Sequence, residues 1–142
     1  MRMKKEALCM IWGALATIGV KLFGGWTPTL GVVLTLMGID FLAGFIVAAV
    51  FKKSPKSETG AADSMSMFKG LCKKFGMIFV IAASHQIDIA LGVDYIMIAT
   101  TYGFIANEAL SIVENAGLMG IVKSEVLINA IEVLKGKSSK TE

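Results

Sequence analysis

The chain has 142 residues, 55% of them hydrophobic and 18% charged, and its formal net charge is +3. This balance lies far outside the usual range of soluble domains and predicts an all-α integral membrane protein with one membrane domain, residues 1–142. Basic residues beside membrane spans account for the net charge, so no nucleic-acid partner is predicted.

The first predicted span covers residues 7–23 and follows a short basic head. A basic head before an apolar run is also typical of a cleaved signal peptide. The Ala-Leu-Ala triplet at 14–16 lies inside the apolar run and not after it, which favours an uncleaved span. Residues 24–28, Gly-Gly-Trp-Thr-Pro, then predict a turn, and the second span follows over residues 29–51.

The second half of the chain predicts two further spans. A central loop covers residues 52–75, and the apolar residues of its second half recur at helical spacing, which predicts a short amphipathic helix. The third span covers residues 76–91 and is short enough for either a full crossing or a re-entrant segment. A tight turn joins it to the fourth span, residues 95–113. Residues 118–142 predict an amphipathic tail.

The distribution of basic residues predicts the orientation of the chain. Six lysines lie in residues 52–74, and others lie in the head and the tail, whereas only Lys21 lies near either of the two opposite turns. The positive-inside rule therefore places the N terminus, the central loop and the C terminus in the cytoplasm.

Acidic side chains interrupt three of the four apolar stretches. A carboxylate within a span costs about 2.5 to 3.5 kcal/mol on insertion scales, so it usually faces other helices or water. Asp40 lies near the middle of the second span, and Gly44 and Ala48 continue a stripe of small residues that favours close helix packing. Two interpretations of Asp40 stay open: structural pairing with another group, and pore lining or titration.

The third span carries His85 and Asp88 on one helix face. The carboxylate could orient the imidazole in a proton relay, or both could form a hydrated helix contact near the outer surface, which is the favoured interpretation. The chain has one histidine, no Gly-rich phosphate loop and no CxxC pair. Neither a metal site, a bound cofactor nor a catalytic residue is therefore predicted.

Small and then polar residues recur in the fourth span at four-residue steps, namely Ala99, Gly103, Asn107, Ser111 and Asn115. Such a stripe drifts about 40° per step, which suits a close helix crossing in its small part and a wet surface in its polar part. The predicted pore-lining or oligomer-interface residues are Asp40, Gly44, His85, Asp88, Gly103, Asn107, Glu108, Ser111, Glu114 and Asn115.

Residues 106–116, Ala-Asn-Glu-Ala-Leu-Ser-Ile-Val-Glu-Asn-Ala, resemble the signature of the phage holin family that includes clostridial toxin-secretion holins. Residues 40–44 are similar to an Asp-aromatic-x-x-Gly motif of that family, and residues 68–74 to its basic entry to the next span. His85 and Asp88 are similar to its His-x-x-Asp pattern. The resemblance covers roughly residues 31–134, although the polar loop at 54–67 is somewhat long for the family.

This resemblance implies a protein without enzymatic activity that oligomerises with copies of itself in the bacterial cytoplasmic membrane. It would open timed lesions in the lipid bilayer, and an endolysin or a toxin would leave through them as cargo. Two alternatives remain at the level of sequence. One is a small proton-coupled carrier in which Asp40 titrates, and the other is an accessory subunit whose polar stripe docks on a larger membrane complex.

Overall fold

A computed structural model describes residues 2–123 together with residues 125 and 129, and this part of the chain contains helices and no strand. Helix α1 covers Arg2–Phe23, α2 covers Pro28–Ile46, α3 covers Ser64–Leu91 and α4 covers Ile96–Leu118. A π-helical segment, Val47–Phe51, continues α2. All four helices are long and apolar enough to cross a membrane, which confirms the predicted all-α membrane fold.

Helix α3 differs most from the predicted bounds. The sequence indicated a short helix within the loop and a separate span over residues 76–91, but the structure has one continuous helix of 28 residues. No proline interrupts this segment, so the first helical turns continue directly into the span. At 1.5 Å per residue the helix is about 42 Å long, enough for a full crossing of a hydrocarbon core of about 30 Å.

Local signals fix the start of α2. The Thr27 hydroxyl oxygen accepts a hydrogen bond from the backbone N–H of Leu30 at 3.1 Å, and Pro28 occupies the first turn. Threonine at the cap and proline just inside the helix are both favourable there, because the first backbone N–H groups have no helical partner.

The central loop folds back on the first turn of α3. The Ser66 hydroxyl donates to the Lys56 carbonyl oxygen at 2.8 Å, and the Ser54 N–H donates to the Gly60 carbonyl oxygen at 2.9 Å. Gly60 has a φ of +71°, and a Cβ atom there would lie 2.3 Å from the Lys52 carbonyl oxygen. Glycine is therefore required for this close approach of the backbone.

The packing of the four helices is uneven. Helices α2 and α4 share the most extensive contact, α3 packs mainly on α4, and α1 contacts α3 alone among the described elements. One cluster of buried hydrophobic residues comprises Leu30, Val33, Met37, Met77, Ile81 and Met97. The apolar part of α1 has no buried residue. The fold is thus a three-helix core, α2 to α4, with α1 attached at one edge.

Because successive helices run in opposite directions, the turns at 24–27 and 92–95 share one end of the bundle, called the turn end here. Residues 52–63 lie at the opposite end, called the loop end. The amphipathic tail predicted for residues 118–142 lies largely outside the described residues, since α4 continues to Leu118.

Candidate functional site

Three charged side chains from three helices meet inside the bundle. The Lys74 Nζ atom of α3 lies 2.8 Å from Oδ2 of Asp40 on α2 and 2.5 Å from Oε2 of Glu108 on α4. The exposed fractions of these side chains are 12% for Lys74, 7% for Asp40 and 3% for Glu108. We call these three residues the charge cluster. Two carboxylates share one ammonium group, so the cluster has an excess of one negative charge when all three groups are ionised.

The position of the charge cluster along the bundle follows from the residues at which α2 and α4 begin. Helices α2 and α4 both begin at the turn end, and Asp40 and Glu108 each lie about 12 residues after the first residue of their helices. That distance corresponds to roughly 18 Å of helix, so the two carboxylates reach the same level of the bundle. Lys74 reaches this level from the antiparallel helix α3, which brings its ammonium group between them.

Asn115 completes the environment of Asp40. Its side-chain Nδ2 donates to Asp40 Oδ1 at 3.0 Å, so each oxygen of the Asp40 carboxylate has a donor. Asn115 is itself buried. A Cβ atom on Gly44 would lie 3.8 Å from Asn115 Nδ2, an ordinary van der Waals distance. Gly44 therefore lies beside this polar contact between α2 and α4, although the contact does not require a glycine there.

A cavity of about 90 Å³ opens beside the charge cluster. Its lining includes Gly44, Asn107 and Ser111 in addition to the cluster, so this group of sequence-predicted residues faces one space. No group of three or more His, Cys, Asp or Glu side chains suited to a metal ion occurs in the described part of the chain. The arrangement suits ion pairing and hydration of charged groups.

Asp88 lies in a different place, at the turn end. Its Oδ1 atom accepts from the Ile96 N–H and its Oδ2 atom from the Met97 N–H, both at 2.9 Å. Asp88 thereby caps the first turn of α4, whose N-cap residue, Tyr95, makes no side-chain capping bond. A carboxylate is well suited to this position because it accepts from unpaired N–H groups at the positive end of the helix dipole. The carboxylate is buried, whereas the sequence predicted a hydrated contact.

His85 and Gln86 contact the end of α1. A Cβ atom on Gly24 would lie 2.6 Å from Cε1 of His85, so the imidazole ring rests against the Gly24 backbone. Gln86 Nε2 donates to the carbonyl oxygens of Lys21 at 3.0 Å and Leu22 at 3.4 Å. Within the described chain, His85 and Asp88 make no hydrogen bond with each other. The imidazole packs on α1, and the carboxylate belongs to α4.

The remaining predicted residues lie outside these contacts. Gly103 and Glu114 are exposed, and no atom lies within 4 Å of a Cβ position on Gly103. Asn107 lines the cavity but its side chain is also exposed. The part of the α4 stripe that consists of small residues therefore forms no close helix crossing within the described residues of a single chain.

Lys74 and Gln86 are the functional candidates that the sequence did not reveal. Lys74 falls within the central loop predicted over residues 52–75, whereas the continuous α3 carries it into the bundle. Two ionised carboxylates at mid-span depth are stable only beside a cation. This requirement is the signal in the sequence that could have pointed to Lys74. Gln86 left no comparable signal, because its partners are backbone carbonyl groups.

Comparison with known sequences decides the family. The sequence profile of the bacteriophage holin family matches residues 17–136. The chain belongs to the bacteriophage holin family. This family member is therefore a multi-pass membrane protein, in agreement with its four long apolar helices.

Relatives of this holin-family chain occur in bacteria and in a phage. An uncharacterised protein of Halalkalibacterium halodurans is 36% identical over 95% of this chain and 99% of its own length. An uncharacterised protein of Listeria monocytogenes is 31% identical over 85% of this chain and 81% of its own. A probable holin of Bacillus phage phi105 is 30% identical over 83% of each chain. No solved structure matches the chain.

Proposed function

We propose that this chain is a phage holin that oligomerises in the bacterial cytoplasmic membrane and forms timed lesions. An endolysin, or a toxin, passes through these lesions as cargo. The N terminus and the central loop face the cytoplasm. The observation that carries the proposal is the buried charge cluster at mid-span depth in a member of the holin family.

The charge cluster stabilises a closed bundle as long as lipid surrounds it. Separating Lys74 from its carboxylate partners without water would leave uncompensated buried charge, which typically costs about 3 to 5 kcal/mol. In contact with water, the same groups become hydrated and the penalty largely disappears. The cluster therefore opposes helix separation in a bilayer and tolerates it beside a water-filled hole.

The exposed polar residues of α4 favour association between copies. Asn107 and Glu114 face outward from the single described bundle. Polar groups that face hydrocarbon are costly, and contact with another polar surface or with water removes that cost. Many associated copies supply both kinds of contact, first between neighbours and then around a hole.

The proposal is tested by lysis in a bacterium that also expresses an endolysin without an export signal. Expression of both proteins should give abrupt lysis after a lag, whereas the endolysin alone should give none. Turbidity measures lysis directly. Lysis that is equally slow with and without the chain would contradict the proposal.

Replacing Asn107 and Glu108 on α4 should abolish lysis without affecting membrane insertion. The double substitution Asn107→Leu with Glu108→Leu leaves Lys74 a single partner, Asp40, and removes the two polar side chains that α4 contributes to the cavity beside Ser111. We expect membrane insertion at the wild-type level, measured by carbonate extraction, and no lysis. The matched control is Ala106→Leu with Ala109→Leu, at two exposed neighbouring positions. Undiminished lysis by the first variant would reject the pore-lining role.

A further inference from the structure

A crevice separates α2 from α3 within the three-helix core. These two helices make few direct contacts, since both pack mainly on α4. Two cavities lie along the crevice and share two lining residues, Phe41 and Lys74. One is the cavity beside the charge cluster, at the loop end. The other, of about 230 Å³, extends toward the turn end.

The part of the crevice nearer the turn end is apolar. Apart from Lys74, its lining consists of Leu34, Met37, Gly38, Phe41, Leu71, Phe75 and Ile78. No atom lies within 4 Å of a Cβ position on Gly38, so the absence of a side chain there leaves the space open. This lining suits a hydrocarbon chain.

The part at the loop end is polar and carries two lysines, Lys56 and Lys73, in its lining. Both residues are exposed, and neither forms an ion pair with another residue that the structure describes. The Ser66 hydroxyl binds the Lys56 carbonyl oxygen and so fixes Lys56 above the first turn of α3. Two positive charges therefore lie at the loop-end opening of the crevice.

The acidic groups of the same lining already have donors. Asp40 and Glu108 bind Lys74, and the Asp63 carboxylate accepts from the Ser66 N–H at 2.9 Å. The single hydrogen of the Ser66 hydroxyl is shared between Asp63 Oδ2, at 2.9 Å, and the Lys56 carbonyl oxygen. The two Ser66 donors also hold the pKa of Asp63 below its usual value. These carboxylates are therefore engaged at the charge cluster and at the start of α3. Lys56 attracts Asp40 only through space, without a contact, so the ammonium groups of Lys56 and Lys73 can bind an anion.

We propose that the crevice between α2 and α3 binds one anionic phospholipid. Its phosphate lies between Lys56 and Lys73, and one acyl chain occupies the apolar part lined by Phe75. A membrane lipid joins an anionic headgroup to a hydrocarbon chain, which matches the order of polar and apolar lining along the crevice. This site does not depend on lesion formation and is present in the single chain.

Helix α1 of a second copy is a poorer occupant. Its apolar side chains would suit the inner part of the crevice, but its loop-end portion carries Lys4 and Lys5. These charges would meet Lys56 and Lys73 and repel them. Charge complementarity thus favours a lipid over this helix.

The headgroup site is tested by native mass spectrometry of the purified full-length protein with equimolar phosphatidylglycerol and phosphatidylcholine. The wild type should retain phosphatidylglycerol preferentially. Lys56→Gln with Lys73→Gln should lower this preference by about fivefold for each lysine. The matched control, Lys53→Gln with Lys69→Gln, removes two exposed charges that line neither cavity and should keep the preference. Equal retention of both lipids by the wild type, or equal loss in the control, would overturn the proposal.

The acyl-chain site is tested by filling it. Gly38→Phe should lower the retention of both lipids, while Gly103→Phe, at another open glycine outside the crevice, should not. Inorganic phosphate at the lipid concentration should displace neither lipid, and displacement would assign the lysines to a free anion. Loss of oligomers in Gly38→Phe with unchanged lipid retention would assign the crevice to a second copy.

Discussion

At the residue scale, the ammonium group of Lys74 is held inside the bundle by two buried carboxylates. It is the one cation in the described chain that contacts both Asp40 and Glu108, and all three side chains are almost completely shielded from solvent. Buried carboxylates are tolerated only when they are paired and hydrogen-bonded. The long apolar stem of lysine lets its ammonium group reach this position from α3.

Removal of the Lys74 charge should destabilise the bundle. In Lys74→Met, two buried carboxylates would face each other without a cation, and we expect the free energy of unfolding to fall by about 3 to 5 kcal/mol. Lys69→Met is the control, since Lys69 is an exposed lysine of the same helix that lines neither cavity. Unfolding in mixed micelles, followed by circular dichroism, measures the difference. Equal stability of the two variants would show that the cluster contributes nothing to the fold.

Asp88 should stabilise the fold because its carboxylate caps the first turn of α4. Asp88→Ala leaves the N–H groups of Ile96 and Met97 without their acceptor, and we expect a loss of about 1 to 3 kcal/mol in the free energy of unfolding. Asp94→Ala removes an exposed carboxylate from the adjacent turn and serves as the control. The same unfolding assay applies. A cost for Asp94→Ala as large as that for Asp88→Ala would refute the capping role.

At the element scale, the sequence predicted which segments are helical better than it predicted which residues those helices contact. Four apolar stretches of sufficient length follow from composition alone, and the structure confirms four such helices. The continuity of α3 was missed because polar residues near Lys74 look like the end of a loop. Lys74 itself pairs with Asp40 and Glu108, which lie more than 30 positions away in the sequence.

The attachment of α1 to α3 depends on a few contacts at the turn end. Gln86 binds the last carbonyl groups of α1, and the His85 ring rests on Gly24. These partners are set by tertiary packing, so neither hydropathy nor helical periodicity predicts them. The sequence did predict the turn itself, because its glycines and proline are local signals.

Gly24→Ala should therefore loosen α1. Gly24 has a φ of +71°, and the added methyl group would also overlap the His85 ring. Gly92→Ala introduces a similar backbone strain at a φ of +68° but meets no atom within 4 Å, so it is the matched control. We expect faster protease cleavage in the α1–α2 turn of Gly24→Ala than of Gly92→Ala. Equal cleavage would show that the contact with His85 does not hold α1.

At the scale of the whole molecule, a polar interior is enclosed by an apolar exterior. Helices α2, α3 and α4 enclose the charge cluster, and polar residues of α4 continue from it to the outer surface. The sequence predicted Asp40, Glu108 and Asn115 as pore-lining or oligomer-interface residues, which stays a prediction, and the structure places the three within one connected group. The sequence placed His85 and Asp88 apart from this group, near the outer surface, and they lie at the turn end. Their contacts with α1 and α4 were not predicted, because the pattern along one helix contains no information about its neighbours.

The most direct test of the proposed lesion is controlled expression in a bacterium while membrane potential and release of a cytoplasmic protein marker are followed together. We expect the potential to collapse abruptly after a lag and the protein marker to escape at the same time. Such a result requires a hole large enough for a folded protein. Cells that keep their potential and gain only pH-dependent efflux would contradict the proposed lesion and support a proton-coupled carrier.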